Sequence, residues 1–510
     1  MVTPRAYLSV VQTLALTRKQ AALSGFGWGC IGGVALVAVM YYAAVFLGLR
    51  PLPALLNEPL LSLMPGFVFG FLIDNLQHAG KVVEELGLII AMVLALGVVG
   101  AIEAVAELRW NSAYLPFAFA AVGWLMVCTV LLPIAGVGFL GLYDGPATPL
   151  IWAALFAFYA VVLQYGGRPP AVVSLGRRRL LATLPVSIAA VSVGALALRL
   201  LPDWYQAIVN PPESLLRGIS PDITPVQNFY VVSKNFADPS VDGNSWRLHV
   251  GGMADKPMTL SLSELRALPA TQEYVTLECV SNNVGGALMS TGLFTGVRLR
   301  DLIGNASPQA GAGWVSFKAR DGYTESLPLS MVQGSPEILV AYELDGAPLP
   351  VAHGFPARIL IPGLYGMKGP KWLDSIELAN QELRGYWETQ GWEHNPVVKT
   401  TSRFDEPRDG DIIRIGAIEL GGVAFAGTRR ITKVEYTLND SAWNEVPFDP
   451  PLSPLTWVRW RTVWTPPSEG AYRLRVRATD GSGKVQDSGG APSFPSGATG
   501  YHTIQVNVSR

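Results

Sequence analysis

Hydrophobic positions are distributed unevenly along this chain. Before about residue 205 they form long unbroken runs, at Leu23–Gly48, Leu86–Ala106, Tyr114–Val137, Pro149–Gln164 and Leu180–Leu200. Each run is near the length a helix needs to cross the hydrocarbon core of a bilayer, so five spans are predicted. A further run, Leu60–Ile73, is shorter and is broken by Met64, Pro65 and Gly66, which predicts an interfacial segment instead of a crossing. Beyond Asp222 the apolar stretches shorten and alternate with polar residues and turn formers. Phe229–Phe236, Trp246–Gly252, Trp314–Ala319 and Ile338–Glu343 read as strands, Leu260–Leu268 as a short helix with a serine cap, and Val297–Ile303 as a helical turn. After Asn395 the pattern becomes one of short strands, Arg429–Thr437, Trp457–Trp464, Tyr472–Ala478 and Thr503–Val508, separated by turns such as Glu469-Gly470 and Asp480-Gly481.

This patterning divides the chain into an N-terminal α-helical membrane bundle (1–201), a linker (202–226), an α+β domain (227–394) and a C-terminal immunoglobulin-like β-sandwich without a disulfide (395–510). Composition agrees with a membrane part joined to a folded part. Half of the 510 residues are hydrophobic and only 15% are charged. The mean hydropathy is +0.30 and the net charge is −1, so nucleic acid is not an expected partner. Charge also sets an orientation. With five spans and the N-terminus inside, Arg5, Arg18, Lys19, Arg109, Arg168 and Arg177–Arg179 fall in the cytoplasm, and only Arg50 and Lys81 fall outside. Everything after Leu200 is then extracytoplasmic, on a multi-pass protein of the cell membrane in contact with lipid. Ser174–Leu181 followed by the apolar run Ala182–Leu198 fits an internal twin-arginine export signal as well as it fits ordinary positive-inside anchoring. Glu103 and Glu107 read as helix-end carboxylates near solvent.

Of the three cysteines, Cys30 and Cys128 lie inside apolar runs and read as small buried hydrophobes. Cys279 is different. It sits in Thr276–Gly286, where Val275 and Leu277 read as the end of a strand, followed by polar residues and a glycine pair that allows a tight turn. A thiolate presented there is a nucleophile or a ligand for a soft transition metal. The second informative stretch, His353–Trp372, places a strand between His353 with Arg358 and a glycine-rich loop carrying Lys368 and Lys371, a composition suited to holding phosphate.

Taken together, Thr-Leu-Glu-Cys-x-Ser-Asn at Thr276–Asn282 and Pro-x-x-His-Gly-Phe-Pro-x-Arg at Pro350–Arg358, followed by Pro-Gly and Lys-Trp at Lys371–Trp372, resemble the sulfite oxidase family of molybdenum enzymes. The resemblance covers Phe229–Trp392 and continues into the last domain. It implies a sulfite oxidase-like α+β molybdopterin domain in which Cys279 binds molybdenum beside a molybdopterin. His353 and Arg358 would contact the pterin and its phosphate, with help from Lys368 and Lys371, and Asn282 matches the asparagine three places after the cysteine. The last domain resembles the family's dimerisation domain, which implies a homodimer. The chain also departs from the family. Asn283 and Val284 stand where sulfite oxidases carry two arginines, Lys234 replaces a third, and Trp392 aligns with the family's active-site tyrosine. One lysine does not reproduce bidentate arginine pairing, so sulfite is in doubt as substrate. An S-oxide reductase of methionine sulfoxide type, whose relatives also lack the arginine pair, is the alternative.

The expected function is therefore oxygen-atom transfer on a small sulfur compound at the outer face, with Lys234, Asn282, Asn283 and Trp392 around the substrate. Electrons would pass to a separate redox partner, because the chain has no haem attachment motif and no iron–sulfur cysteine set, and His78 is the one histidine of the membrane region. Two rivals differ in class: a non-catalytic membrane-anchored binding or adhesion protein, and a cysteine hydrolase with Cys279 as nucleophile and His353 as base.

Overall fold

The computed structural model describes residues 17–47, 51–53, 55–56, 66–135, 137–142, 145–167, 218–234, 238–239 and 241–510. The described residues fall into two compact units, one drawn from 1–63 and 79–206 and the other from 64–78 and 207–510, and each is taken by itself.

The N-terminal part contains α1 (Arg18–Leu47), α2 (Gly66–Trp110), α3 (Leu115–Met126) and α4 (Thr148–Gly167), and α3 continues through a π-helical turn at Val127–Leu131. Segments Arg18–Ala43, Leu86–Trp110, Leu115–Ile134 and Thr148–Tyr165 are long and apolar enough to cross a membrane. They coincide with four of the predicted spans; the other, Leu180–Leu200, lies outside the described residues. From Gly66 the chain is helical without a break to Trp110, so the later half of the run read as a separate interfacial segment is the start of α2. The earlier half of that run lies outside the described residues. Small residues let α1 and α2 touch: a Cβ on Gly25 would lie 2.4 Å from the Gly100 carbonyl oxygen. Glu103 is only 4% exposed, contrary to the solvent-facing position expected of it.

In the folded part, one sheet has the order β2 (Met258–Ser261), β1 (Arg247–Gly252), β10 (Leu373–Ala379), β5 (Trp314–Ala319), β6 (Thr324–Pro328). The other runs β3 (Ala270–Glu278), β4 (Met289–Arg298), β7 (Leu339–Leu344), β8 (Ala347–Pro348), with β9 (Arg358–Leu360) on β7. Leu248, Phe317 and Ile376 from the first sheet and Val297, Val340 and Ile359 from the second share one core. The serine-capped helix forms over Leu262–Ala267 with a reciprocal Ser261–Glu264 capping box. Phe229–Lys234, expected as part of a strand, joins no sheet. Its polar backbone groups are satisfied by side chains instead, Tyr230 N–H donating to Ser290 Oγ at 3.0 Å and Lys371 Nζ to the Val232 carbonyl at 3.2 Å.

The C-terminal strands form two sheets, β11 (Thr401–Glu406), β13 (Ile418–Phe425), β16 (Val458–Trp464) and β12 (Ile412–Arg414), β18 (His502–Ser509), β17 (Gly470–Asp480), β14 (Ile431–Leu438), β15 (Asn444–Val446). Phe404 and Trp460 from one sheet and Val434, Leu474 and Val506 from the other enclose a common core. The α+β part and this pair of sheets are tied directly. Thr276 N–H donates to the Leu455 carbonyl at 3.0 Å, and Trp457 N–H to Thr276 Oγ1 at 2.9 Å. Residues 218–226, read as the end of a linker, belong to the same body: Ser220 N–H donates to Asp405 Oδ2 and Thr224 N–H to the Thr291 carbonyl.

His502 of β18 is part of this junction. Its Nδ1 accepts from Phe404 N–H at 2.9 Å, and its ring lies against Gly285, where φ is +78° and a Cβ would be 2.3 Å from the imidazole. Burial, then the Arg403 charge, pushes His502 down to about 4. The unfolded chain therefore takes up this proton first as pH falls, so stability is full above about pH 6.5 and is lost between there and about pH 4. His502→Asn, whose carbonyl oxygen takes the place of Nδ1, should flatten this part of the pH dependence in denaturant titrations. An unchanged slope would show that His502 is not its source.

Candidate functional site

The pairing of β3 with β4 ends at Glu278 opposite Met289, and the chain then leaves the sheet and returns. Cys279 N–H donates to the Leu288 carbonyl at 3.0 Å, closing the base of the loop. Asn282 spans it from within, accepting from Leu288 N–H at 3.0 Å and donating to Glu278 Oε1 at 2.9 Å. Burial pushes Glu278 up to about 7, against the Asn282 hydrogen bond and the Arg403 charge, which lower it. Cys279 is thus held on a braced turn, 7% exposed, with Sγ 3.0 Å from Ser281 Oγ.

The thiol opens into a cavity that Lys234, His353, Arg358, Lys371 and Trp392 also line. The stretches singled out in the sequence therefore meet at one place. His353 packs edge-on against Phe229 at 5.3 Å, and burial, then Arg358 and Lys371, push it down to about 4, so it is a neutral imidazole near pH 7. Arg358 is 7% exposed; Nη1 donates to the His353 carbonyl at 3.4 Å and buried Nε has no hydrogen-bond partner among the described residues. Lys371 Nζ donates to the Ala352 carbonyl at 2.9 Å and stands over the Trp372 ring at 4.4 Å. A side chain at Gly369 would meet the Ile359 carbonyl at 2.6 Å, so the loop carrying Lys371 passes where only glycine fits.

Another part of the lining has a different character. Lys234 Nζ donates to the Asp321 carbonyl at 2.9 Å, lies 4.0 Å from its carboxylate and sits 5.1 Å over the Tyr386 ring. Trp392 is 5% exposed and meets Phe494 edge-on at 5.2 Å. Asp321, Tyr323, Trp387 and Tyr230 also line the space, and sequence reasoning missed them. The Asp321-Gly322 pair reads as an ordinary turn, and the aromatic residues read as core.

Three expected site residues stand elsewhere. Asn282 braces the loop as described and Asn283 does not line the cavity. Lys368 is buried behind the wall, its Nζ 2.5 Å from Glu325 Oε1 and 2.6 Å from Glu388 Oε1, so it is engaged by carboxylates and not turned to a ligand in the cavity.

The remaining donor set fits a molybdenum-pterin. A thiol at a strand end suits a soft metal, and a buried guanidinium with an orphaned Nε beside a second cation suits an anionic phosphate.

Comparison with known proteins agrees. Residues 235–387 match the family model described as an oxidoreductase molybdopterin binding domain. The chain is 28% identical to mitochondrial sulfite oxidase of Mus musculus over 349 residues, covering 58% of this chain and 63% of that protein. It thus spans less than two thirds of the length of that relative. It is 34% identical over 151 residues to the uncharacterized oxidoreductase YuiH of Bacillus subtilis, covering 30% of this chain and 74% of YuiH. Among solved structures, the sulfane dehydrogenase SoxCD of Paracoccus pantotrophus superposes with a TM-score of 0.50 at 19% identity, over 59% of this chain and 86% of that one. That last likeness is one of fold. From the shared domain, the cavity that joins Cys279 to Arg358 and Lys371, and these matches, it follows that the chain belongs to the sulfite oxidase family of molybdopterin-dependent oxidoreductases.

Proposed function

We propose that this protein is a membrane-anchored molybdenum oxidoreductase that transfers an oxygen atom to or from a small sulfur compound at the outer face of the cell membrane. The observation that carries the reading is the meeting of Cys279, His353, Arg358 and Lys371 in one cavity. The molybdenum-pterin supplies a two-electron centre able to exchange an oxygen atom with a sulfur lone pair. The chain supplies the rest. Cys279 ligates the metal, Arg358 and Lys371 hold the pterin phosphate, and neutral His353 hydrogen-bonds the pterin without adding charge.

Charge balance on the substrate side decides between two classes of substrate. Sulfite needs several guanidinium groups, whereas Lys234 is already paired with Asp321 and the surrounding wall is aromatic. That wall favours an uncharged sulfur compound, such as an S-oxide, over an oxyanion, with Lys234 donating one hydrogen bond and Trp392 packing on the substrate. Electrons pass one at a time to or from a separate redox partner. The predicted spans anchor the chain in lipid, and the arginine cluster at Arg177–Arg179 keeps the preceding loop inside. The last domain acts as the immunoglobulin-like dimerisation module that its strand pattern suggests.

Elemental analysis and pterin fluorescence of the detergent-solubilised chain test the central part. Molybdenum and pterin near one per chain are expected, and Cys279→Ser should lose most of the metal while keeping its fold. Protein made with ample molybdate yet lacking both would defeat the reading. Arg358→Met, which keeps the bulk and removes the donors, should weaken pterin retention by roughly 10-fold or more; retention equal to wild type would remove Arg358 from the phosphate site. For substrate, kcat/KM with an uncharged S-oxide and a reduced dye should exceed that with sulfite and a one-electron oxidant. The opposite order would restore sulfite.

A further inference from the structure

Lys368 leads outward from the site. Its Nζ lies 2.5 Å from Oε1 of Glu325, a residue with no solvent exposure, and 2.6 Å from Glu388 Oε1. Glu388 Oε2 is 3.4 Å from His394 Nδ1, and His394 Nε2 is 3.0 Å from Glu382 Oε1. Glu325, Lys368 and Glu388 are buried, whereas the side chain of His394 is 54% exposed and that of Glu382 29%. A contiguous row of ionisable side chains thus runs from a fully buried carboxyl to solvent.

The inner end of the row lies directly behind the cavity wall. Met367, adjacent to Lys368, lines the cavity and its carbonyl accepts from Tyr323 Oη–H at 2.5 Å. Trp387, adjacent to Glu388, lines it too. Burial, then the charges of Glu325, Asp321, Glu388 and Cys279, hold the Tyr323 hydroxyl well above its ordinary value. The ionisable groups facing Glu325 are Lys368, Glu388 and Tyr323, with Asp321 and its partner Lys234 next along the wall.

Oxygen-atom transfer requires such a route. Oxidation of a sulfur compound X by water is X + H2O → XO + 2 e− + 2 H+; the electrons go to the redox partner and both protons must reach solvent, and reduction runs the same path in reverse. We propose that Glu325, Lys368, Glu388 and His394 relay protons between the cavity and solvent. Two carboxyls around one ammonium suit this role, because burial favours the net-neutral arrangement in which one of them keeps a proton. Burial, opposed by Lys368, pushes Glu325 up to about 8; Glu388 is buried as well, but hydrogen bonds from Lys368 and Gly385 and the charges of Lys368 and His394 hold it below its ordinary value. Each proton that enters at Glu325 is matched by one that leaves at His394, so no charge accumulates inside.

The relay rests on the oxidoreductase reading, but its test does not. In infrared spectra of the detergent-solubilised full chain, the carboxylic C=O stretch of Glu325 is the band absent from Glu325→Gln. It should disappear as pH rises through about 8. Its hydrogen–deuterium exchange should slow by roughly 10-fold in His394→Gln and recover with added imidazole. In molybdenum-loaded protein, kcat of His394→Gln should fall by a similar factor at unchanged KM and recover likewise. Exchange that is unaffected in His394→Gln, or slowed without recovery in imidazole, overturns the relay and leaves a structural ion-pair cluster. Failure of the oxidoreductase reading shows separately, as missing molybdenum with the carboxyl band still behaving as described.

Discussion

The folded part of this protein depends on one constraint, the fixed turn that carries Cys279 out of its sheet and back. A thiol that ligates a metal must sit at a defined point, and a free loop of ten residues cannot supply one. Here the backbone bond from Cys279 to Leu288 closes the turn, and the Asn282 amide bridges Glu278 and Leu288 across it. The far side of the loop presses on His502 of the last sheet, while Thr276, three residues before the cysteine, bonds to Leu455 and Trp457. The C-terminal sheets therefore hold the cysteine loop in place, whatever else they do.

Around that point the cavity is divided electrically. One part gathers Arg358 and Lys371 next to a histidine that burial and those charges keep neutral. Another part is balanced already, Lys234 against Asp321, under aromatic walls. The division matches the proposed tasks: a phosphate-bearing group in the first part, a substrate of low net charge in the second. A third set of charges, around Lys368, lies behind the wall and is neutral overall when one carboxyl is protonated.

Much of this was legible in the chain. Cys279 stood out because the other cysteines lie in apolar runs, and a strand followed by polar residues and glycines placed it correctly at a sheet edge. His353, Arg358 and Lys371 were singled out by the cations around a short strand and a glycine turn together with the resemblance, and they line the same cavity as Cys279. The same composition misplaced Lys368, because spacing does not reveal that Glu325, more than forty residues earlier in the chain, fills its surroundings. Asn282 was read as a site residue from the resemblance, because a motif match does not reveal that its amide bridges Glu278 and Leu288. Phe229–Lys234 has the residues of a strand but found no partner strand, since Ser290 and Lys371 side chains occupy its backbone groups. Strand β4, rich in Gly, Thr and Ser, carries no clear alternation and was passed over, because a strand buried on both faces has no polar side to show.

The central claim is that Cys279 supplies a protein sulfur to molybdenum. X-ray absorption at the molybdenum edge of the purified chain measures this directly, by counting sulfur neighbours of the metal. The account predicts one protein thiolate beyond the two pterin sulfurs in the wild type, and its absence in whatever metal Cys279→Ser retains. The same sulfur count in both proteins would contradict it, and would place Cys279 beside the metal instead of on it.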